Sequence, residues 1–314
     1  MIGSAVGAAD VGSESELEDE IESGGTVNLD SDTVYKIDDT IRATGLDELT
    51  INGNGATIEV PSTSGYVLKC GTSKSPIDDL EIRDLNFDLT GSSTDGRALE
   101  CQARDDLDVS NVSFRGKHSG SGKGPMLVGL HSDDGDGNVS NVEMPDGGED
   151  SSSGNGGTGM LVSNHHAGNL TIEDCVIGPF PDNGIYCTSS EGEVHVKGGK
   201  FVNTNVAGVR LDGEKCSLKD AEFEYDEDIP GFGGQRPVRC DGGDIEISGL
   251  DIYMSISQTE AIRVMPGCES ADIEDCSING GGARDAISVT SGAGPVETDD
   301  LDVDGGVRNE VYHY

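Results

Sequence analysis

The chain has 314 residues, with 60 acidic and 20 basic side chains, a formal net charge of −40 and no tryptophan. That balance argues against nucleic acid as a direct partner, because phosphate binding needs a basic footprint. No stretch of 18 apolar residues occurs, so no membrane span is expected.

In chain order, Met1 to Ala9 is small and apolar but lacks the basic region of a secretory signal. It fits the stub of one, cleaved near Ala8-Ala9, or the start of a protein assembled in the cytoplasm, such as a virion component. Residues 1–12 are set aside as a leader or flexible N-terminus. Ser13 to Glu22 reads as a capping helix: Ser13 with Glu16 resembles a capping box, and Leu17 and Ile21 fall on one face. Gly24 to Leu29 then turns into a first strand.

From there an eight-residue phrase recurs about ten times, reading apolar-x-apolar-x-x-apolar-x-apolar. A loose copy starts near Leu49. Leu80/Ile82/Leu85/Phe87 and Leu107/Val109/Val112/Phe114 spell it fully, and another loose copy starts near Gly137. Then follow Leu170/Ile172/Cys175/Ile177, Val194/Val196/Phe201, Cys216/Leu218/Ala221/Phe223, Ile245/Ile247/Leu250/Ile252, Ile273/Cys276/Ile278 and a loose copy near Val296. Each phrase is two short strands: alternation puts every second side chain on one face, and the two-residue interruption marks a bend. A third strand follows a variable loop, as at 67–70, 99–101, 185–187, 209–211, 238–240, 262–264 and 287–289. The leucine-rich signature L-x-x-L-x-L-x-x-N is absent. The expected fold is all-β: a single-stranded, right-handed parallel β-helix of about ten coils over residues 13–306. At roughly 4.8 Å per coil the rod is on the order of 48 Å long. Residues 307–314 form a tail carrying Tyr312 and Tyr314, either a cap or a contact for a partner.

Repulsion among so many carboxylates destabilises a folded chain at low salt. Molar salt, with a Debye length of about 3 Å, removes most of it. A high-salt setting follows as the expectation, in a haloarchaeon or a virus of one. Cys70, Cys101, Cys187 and Cys240 share one inward position of the third strand, and Cys175 and Cys276 share another, as small buried hydrophobes do. Reduced core thiols are the expectation; only Cys70 and Cys101 fall on neighbouring coils of one column, where a disulfide is feasible.

The opening ELEDEIESGGTVNLDSDTVYKIDDTI, then LTINGNGATIEV and the DNGI at Asp182–Ile185, resemble the pectate-lyase-like right-handed β-helix superfamily over essentially the whole chain. The resemblance implies the fold. Members include polysaccharide lyases, polygalacturonases, epimerases and viral tailspike or fibre domains, so it does not choose an activity. The G-H-G and R-I-K blocks of polygalacturonases are absent, and Asp133-Asp134 stands on a loop without its partners.

In so acidic a chain, basic residues are the informative ones. Arg210, Arg239 and Arg263 fill the outward position of the third strand on three successive coils, with Tyr186 on the coil before. Asp212 and Asp241 are expected to point the same way, two residues further along. Such a ladder can bind uronate or sulfate groups bidentately. In pectate lyases, which the fold resembles, an arginine also acts as base, with calcium neutralising the substrate acid. The competing reading is an Arg–Asp ladder that only offsets repulsion between coils.

Three loops, 88–97, 115–125 and 145–159, follow adjacent phrases at the same point and should build a wall, the middle one made basic by Lys117, His118 and Lys123. His131 and the pair His165-His166 follow third strands, either as metal ligands or acid/base groups or as solvated loop residues. Asp134, Asp136 and Asn138 have the D-x-D-x-N spacing of a calcium loop, or of a solvated turn. Few aromatics argue for ionic rather than stacking recognition of sugars. The expected function is an extracellular or virion-surface, tailspike- or fibre-like rod that recognises acidic polysaccharide or cell-surface glycan, with or without cleavage, as a homotrimer or attached to a virion. The alternatives are a secreted polysaccharide lyase acting on a uronate-containing polymer, and a structural decoration protein without ligand.

Overall fold

The computed structural model describes residues 9–11, 14–31, 33–37, 39–60, 65–91, 95–119, 124–149, 157–188, 190–256, 259–304, 306–307 and 309–314, the first three together with 14 and 15 by backbone alone. Within them the chain winds as an all-β, right-handed parallel solenoid of about ten turns. Each turn contributes one short strand to each of three faces, and every pair of strands is parallel.

The phrase of the sequence becomes the first two faces. Val27, Ile51, Ile82, Val109, Val139 and Ile172 stack in register on the inside of the first face. Val196, Leu218, Ile247 and Ile273 continue that column, all fully buried. On the second face Phe87 stacks on Phe114 at 4.9 Å between ring centroids, and Phe201 on Phe223 at 5.1 Å. The bend between these faces is a second column. Asp84, Asn111, Asn141, Asp174, Asp220, Asp275 and Asp300 all take left-handed backbone with φ between 45° and 56°. That conformation costs an ordinary side chain about 1–2 kcal/mol, and Asn and Asp tolerate it because they bond locally. Asn111 Nδ2 donates to Asp84 Oδ1 at 2.9 Å, tying one bend to the next. The loose copy at Gly137 also has a cause: a Cβ there would meet Leu130 Cδ1 at 2.9 Å and Leu170 Cδ1 at 3.1 Å, so larger neighbours fill its place.

The third face holds Cys70, Cys101, Val128, Val162, Cys187, Leu211, Cys240, Val264 and Val289 in one inward column. All eight cysteines are free and buried, and burial pushes the Cys175 thiol up to about 12. Column reasoning did not find two further neighbouring thiol pairs, Cys187 with Cys216 and Cys240 with Cys268.

Strand pairing runs past the boundaries expected at 12/13 and 306/307. Ala9–Val11 pairs with Val27–Leu29, and Val311–His313 pairs with Ile287–Val289. The helix spans Glu14–Ser23 and covers the first turn with Leu17 and Ile21, both fully buried. Ser13, the expected cap, lies outside the described residues, as does Lys123. The segments 88–97, 115–125 and 145–159 each follow a strand of the second face and precede one of the third, and the wall expected of them lies partly outside the described residues.

Candidate functional site

The third face displays the row anticipated from the repeat. Tyr186, Arg210, Arg239, Arg263, Ser288 and Tyr312 occupy one register position on successive turns. The Arg210 guanidinium lies 4.2 Å from the centroid of the Tyr186 ring, a cation–π contact. The Tyr186 hydroxyl donates to Asp212 Oδ2 at 3.3 Å. Burial pushes that phenol up, against the pull of Arg210 and with Asp212 and Asp241 adding to the rise.

Asp241 is the hinge of the ladder. Arg210 Nε donates to its Oδ2 at 2.8 Å, and Arg239 Nε to its Oδ1 at 2.5 Å. Asp212 and Asp241 were expected to be equivalent, and they are not. The register shifts after Leu211 so that Asp212 pairs with Gly242. A bulge of this kind re-aims one side chain. It leaves Asp241 under two arginines and Asp212 beside Tyr186.

Arg263 continues the row but joins a different set of partners. Its Nε lies 3.2 Å from Glu260 Oε1 and donates to the Tyr314 hydroxyl oxygen at 3.0 Å. Glu260 also takes Arg236 Nε at 2.8 Å and Arg284 Nη2 at 2.6 Å, while Arg284 Nε donates to Asp285 Oδ2 at 2.9 Å. Burial lowers the Arg236 pKa, with the adjacent Glu260 opposing that change. Side-chain exposure separates the two charges by depth: Arg210, Arg239 and Arg263 are 20%, 22% and 28% exposed, whereas Asp241 and Glu260 are 10% and 1%. The carboxylates form a floor and the guanidinium groups form the surface, in a molecule that is otherwise heavily negative.

Sequence reasoning missed Glu260, Arg236, Arg284 and Asp285. A signal existed. Arg236, Glu260 and Asp285 each stand two residues before an inward third-strand residue, namely Val238, Ile262 and Ile287, which stack in register.

The histidines divide. His166 is buried; its Nδ1 accepts from the Leu130 amide at 3.2 Å and its Nε2 donates to the Glu193 carbonyl at 3.0 Å. Both ring nitrogens are therefore committed, burial holds its pKa below the ordinary imidazole value, and its place is structural. His131 Nε2 is 3.0 Å from Gln102 Oε1. His165 and Asp212 line one groove of about 650 Å³ at the corner beside Tyr186, together with Glu191 and Glu214.

Asp136 and Asn138 face outward on the strand Asp136–Met144 and line a separate trough of about 500 Å³ on the first face, with Glu48, Asp79 and Asp106. An extended strand sets such residues roughly 6.6 Å apart rather than around one cation. Asp134 sits in the preceding turn. Among the described residues no group of three or more His, Cys, Asp or Glu converges as a metal site requires. Both oxygens of Asp241 face guanidinium groups, so the donors around the arginine row do not fit a calcium ion. No protein-family model, curated protein or solved structure matches the chain.

Proposed function

We propose that the third face is a recognition surface for an acidic polymer, a uronate- or sulfate-bearing glycan, carried on an extracellular or virion-surface rod that works in high salt. The observation that carries this reading is the depth order of the row: Arg210, Arg239 and Arg263 stand in register above buried carboxylates, and each keeps exposed surface. Arg239 is tied by Nε, and Arg210 and Arg263 by Nε and Nη2, the last of them to the Tyr314 hydroxyl; each guanidinium is so fixed in place and keeps its Nη1 side for a second anion. Preorganised hydrogen bonding of this sort survives salt better than a diffuse field, because partly buried pairs are screened less than exposed ones.

The arrangement suits binding better than proton abstraction. A lyase base must give up its proton, and an opposite charge at hydrogen-bond distance favours the charged form of its partner. The lyase reading is checked by incubation with acidic polysaccharides in molar salt, with and without calcium, following absorbance of the unsaturated product. A second reading, a decoration protein whose arginines only offset repulsion, draws on the same ion pairs.

Calorimetric titration with polyuronate in molar salt separates the readings. The proposal expects saturable binding that Arg239→Ala weakens at least tenfold while circular dichroism stays unchanged. Equal binding by Arg210→Ala, Arg239→Ala and Arg263→Ala variants would refute it. Light scattering tests the accompanying proposal of a homotrimer, or of a monomer that fixes to a larger particle.

A further inference from the structure

The arginine row ends in a cavity of about 430 Å³ that differs in chemistry from the rest of the surface. It is lined by Arg263, Arg284, Asp285, Asn309, Tyr312 and Tyr314. Tyr312 and Tyr314 are stacked, with ring centroids 5.8 Å apart and planes inclined by 25°. They are 43% and 44% exposed, and the other large hydrophobic side chains this exposed among the described residues are Val34 and Tyr253. Two of four such residues therefore share one pocket with two guanidinium groups.

The polar side of the pocket is built from fixed groups. Arg284 directs Nε to Asp285 and Nη2 to Glu260, which sets the plane of its guanidinium, yet its side chain stays 42% exposed. Asn309 Nδ2 is bonded to Asp285 Oδ1, which orients its amide. Arg263 donates to the Tyr314 hydroxyl oxygen and so holds the ring beside it. Tyr312 has no hydrogen-bond role in this set; its ring stacks on Tyr314 on one side and is exposed elsewhere.

An open aromatic face, an oriented guanidinium and an amide within one concavity match the needs of a single charged sugar ring. The apolar face of a pyranose covers an aromatic ring, its carboxylate or sulfate takes the planar donor pair, and a hydroxyl meets the amide. We infer that this cavity is an end subsite for one acidic monosaccharide unit, with Tyr312 as platform, Arg284 as anion anchor and Asn309 as hydroxyl partner. The inference rests on the anionic-glycan reading of the arginine row and adds to it a second, stacking mode of recognition.

The test uses the full chain in molar salt with galacturonate and a short oligogalacturonate as probes and glucose as the neutral control. With no tryptophan and seven tyrosines, intrinsic tyrosine emission reports on the site directly. The expected result is a saturable change with the acidic probes, not with glucose, which Tyr312→Ala weakens about tenfold, as loss of one stacking contact would. Tyr312→Phe should bind as the parent does, and Arg284→Lys should weaken galacturonate binding. Arg239→Ala should weaken long polymer by a larger factor than it weakens galacturonate. If Tyr312→Ala binds the oligomer like the parent while Arg239→Ala loses the polymer, the end subsite is refuted and the recognition surface stands. If neither probe nor polymer binds the parent, both fail together.

Discussion

The strongest perturbation available is Glu260→Gln, which removes one buried charge and leaves three arginines around a neutral amide. Arg236 and Glu260 are 7% and 1% exposed, with 2.8 Å between Nε and Oε1. Breaking a buried pair by neutralising one partner costs about 3–5 kcal/mol, since the remaining charge stays desolvated. The bonds to Arg263 and Arg284 are more exposed and solvent-screened, so each adds less than about 1 kcal/mol. Gln keeps the shape and one acceptor, which places the expected loss near the lower end, about 3 kcal/mol. Lys36–Glu59 is the internal control: its side chains are 73% and 45% exposed, and Glu59→Gln should cost well under about 1 kcal/mol. Urea unfolding followed by circular dichroism, at low and at molar salt, gives both numbers. Because a solenoid sums contributions from neighbouring turns, amide exchange should loosen first in the strands at 238–240, 262–264 and 287–289. A loss below about 1 kcal/mol for Glu260→Gln, or one that disappears in molar salt, would refute the claim that a buried carboxylate floor holds the arginine row.

Four further outcomes follow from other parts of the molecule. Asn111 sits at φ 54° in the bend column, so Asn111→Ala should destabilise by about 1–2 kcal/mol while Asn111→Gly should not, as denaturant midpoints would reveal. Glu48, Asp79, Asp106 and Asp136 stack in register on the first face, and Asp106→Asn should stabilise by up to about 1 kcal/mol at low salt and not at all in molar salt; an effect independent of salt would contradict it. His118, His131 and His166 are all held below the ordinary value of 6.5, chiefly by burial. The unfolded chain then binds more protons as pH falls, so their contribution is complete above about pH 6.5 and is lost below it, toward the lowered folded values. His166→Gln should flatten that slope; an unchanged pH profile would count against a buried neutral His166. Asp79 runs the other way: desolvation in its trough and the adjacent Asp106 raise it above 3.8, so its protonation favours the fold as pH falls through its raised value.

The repeat made the solenoid legible because burial imposes the same period on every turn. Val109 and Ile172 had to be apolar for the reason that Ile82 was, and the in-register row from Tyr186 to Arg263 followed from counting within the phrase. What counting cannot see is a change of count. The bulge after Leu211 breaks the equivalence of Asp212 and Asp241, and only the path of neighbouring strands sets it. The left-handed bend is visible in the sequence as two residues without period, and Asp84, Asn111 and Asn141 mark its Asn/Asp column. Glu260 lies in a connection of variable length, where sequence gives residue type without path, so its three arginines could not be assembled. His166 looked like a solvated loop residue because nothing local records that the next turn covers it. Tyr312 and Tyr314 read as a tail from sequence, and their pairing with Arg263 and Arg284 depends on the last strand joining the third face.

The central claim is that the arginine row recognises an acidic polymer, and a hydrogen-exchange footprint of polyuronate on the intact protein in molar salt tests it most directly. Protection is expected only on the third face, at residues 209–211, 238–240 and 262–264, with its loss in Arg239→Ala. Protection on the carboxylate-lined first face instead, or none at saturating polymer, would contradict it.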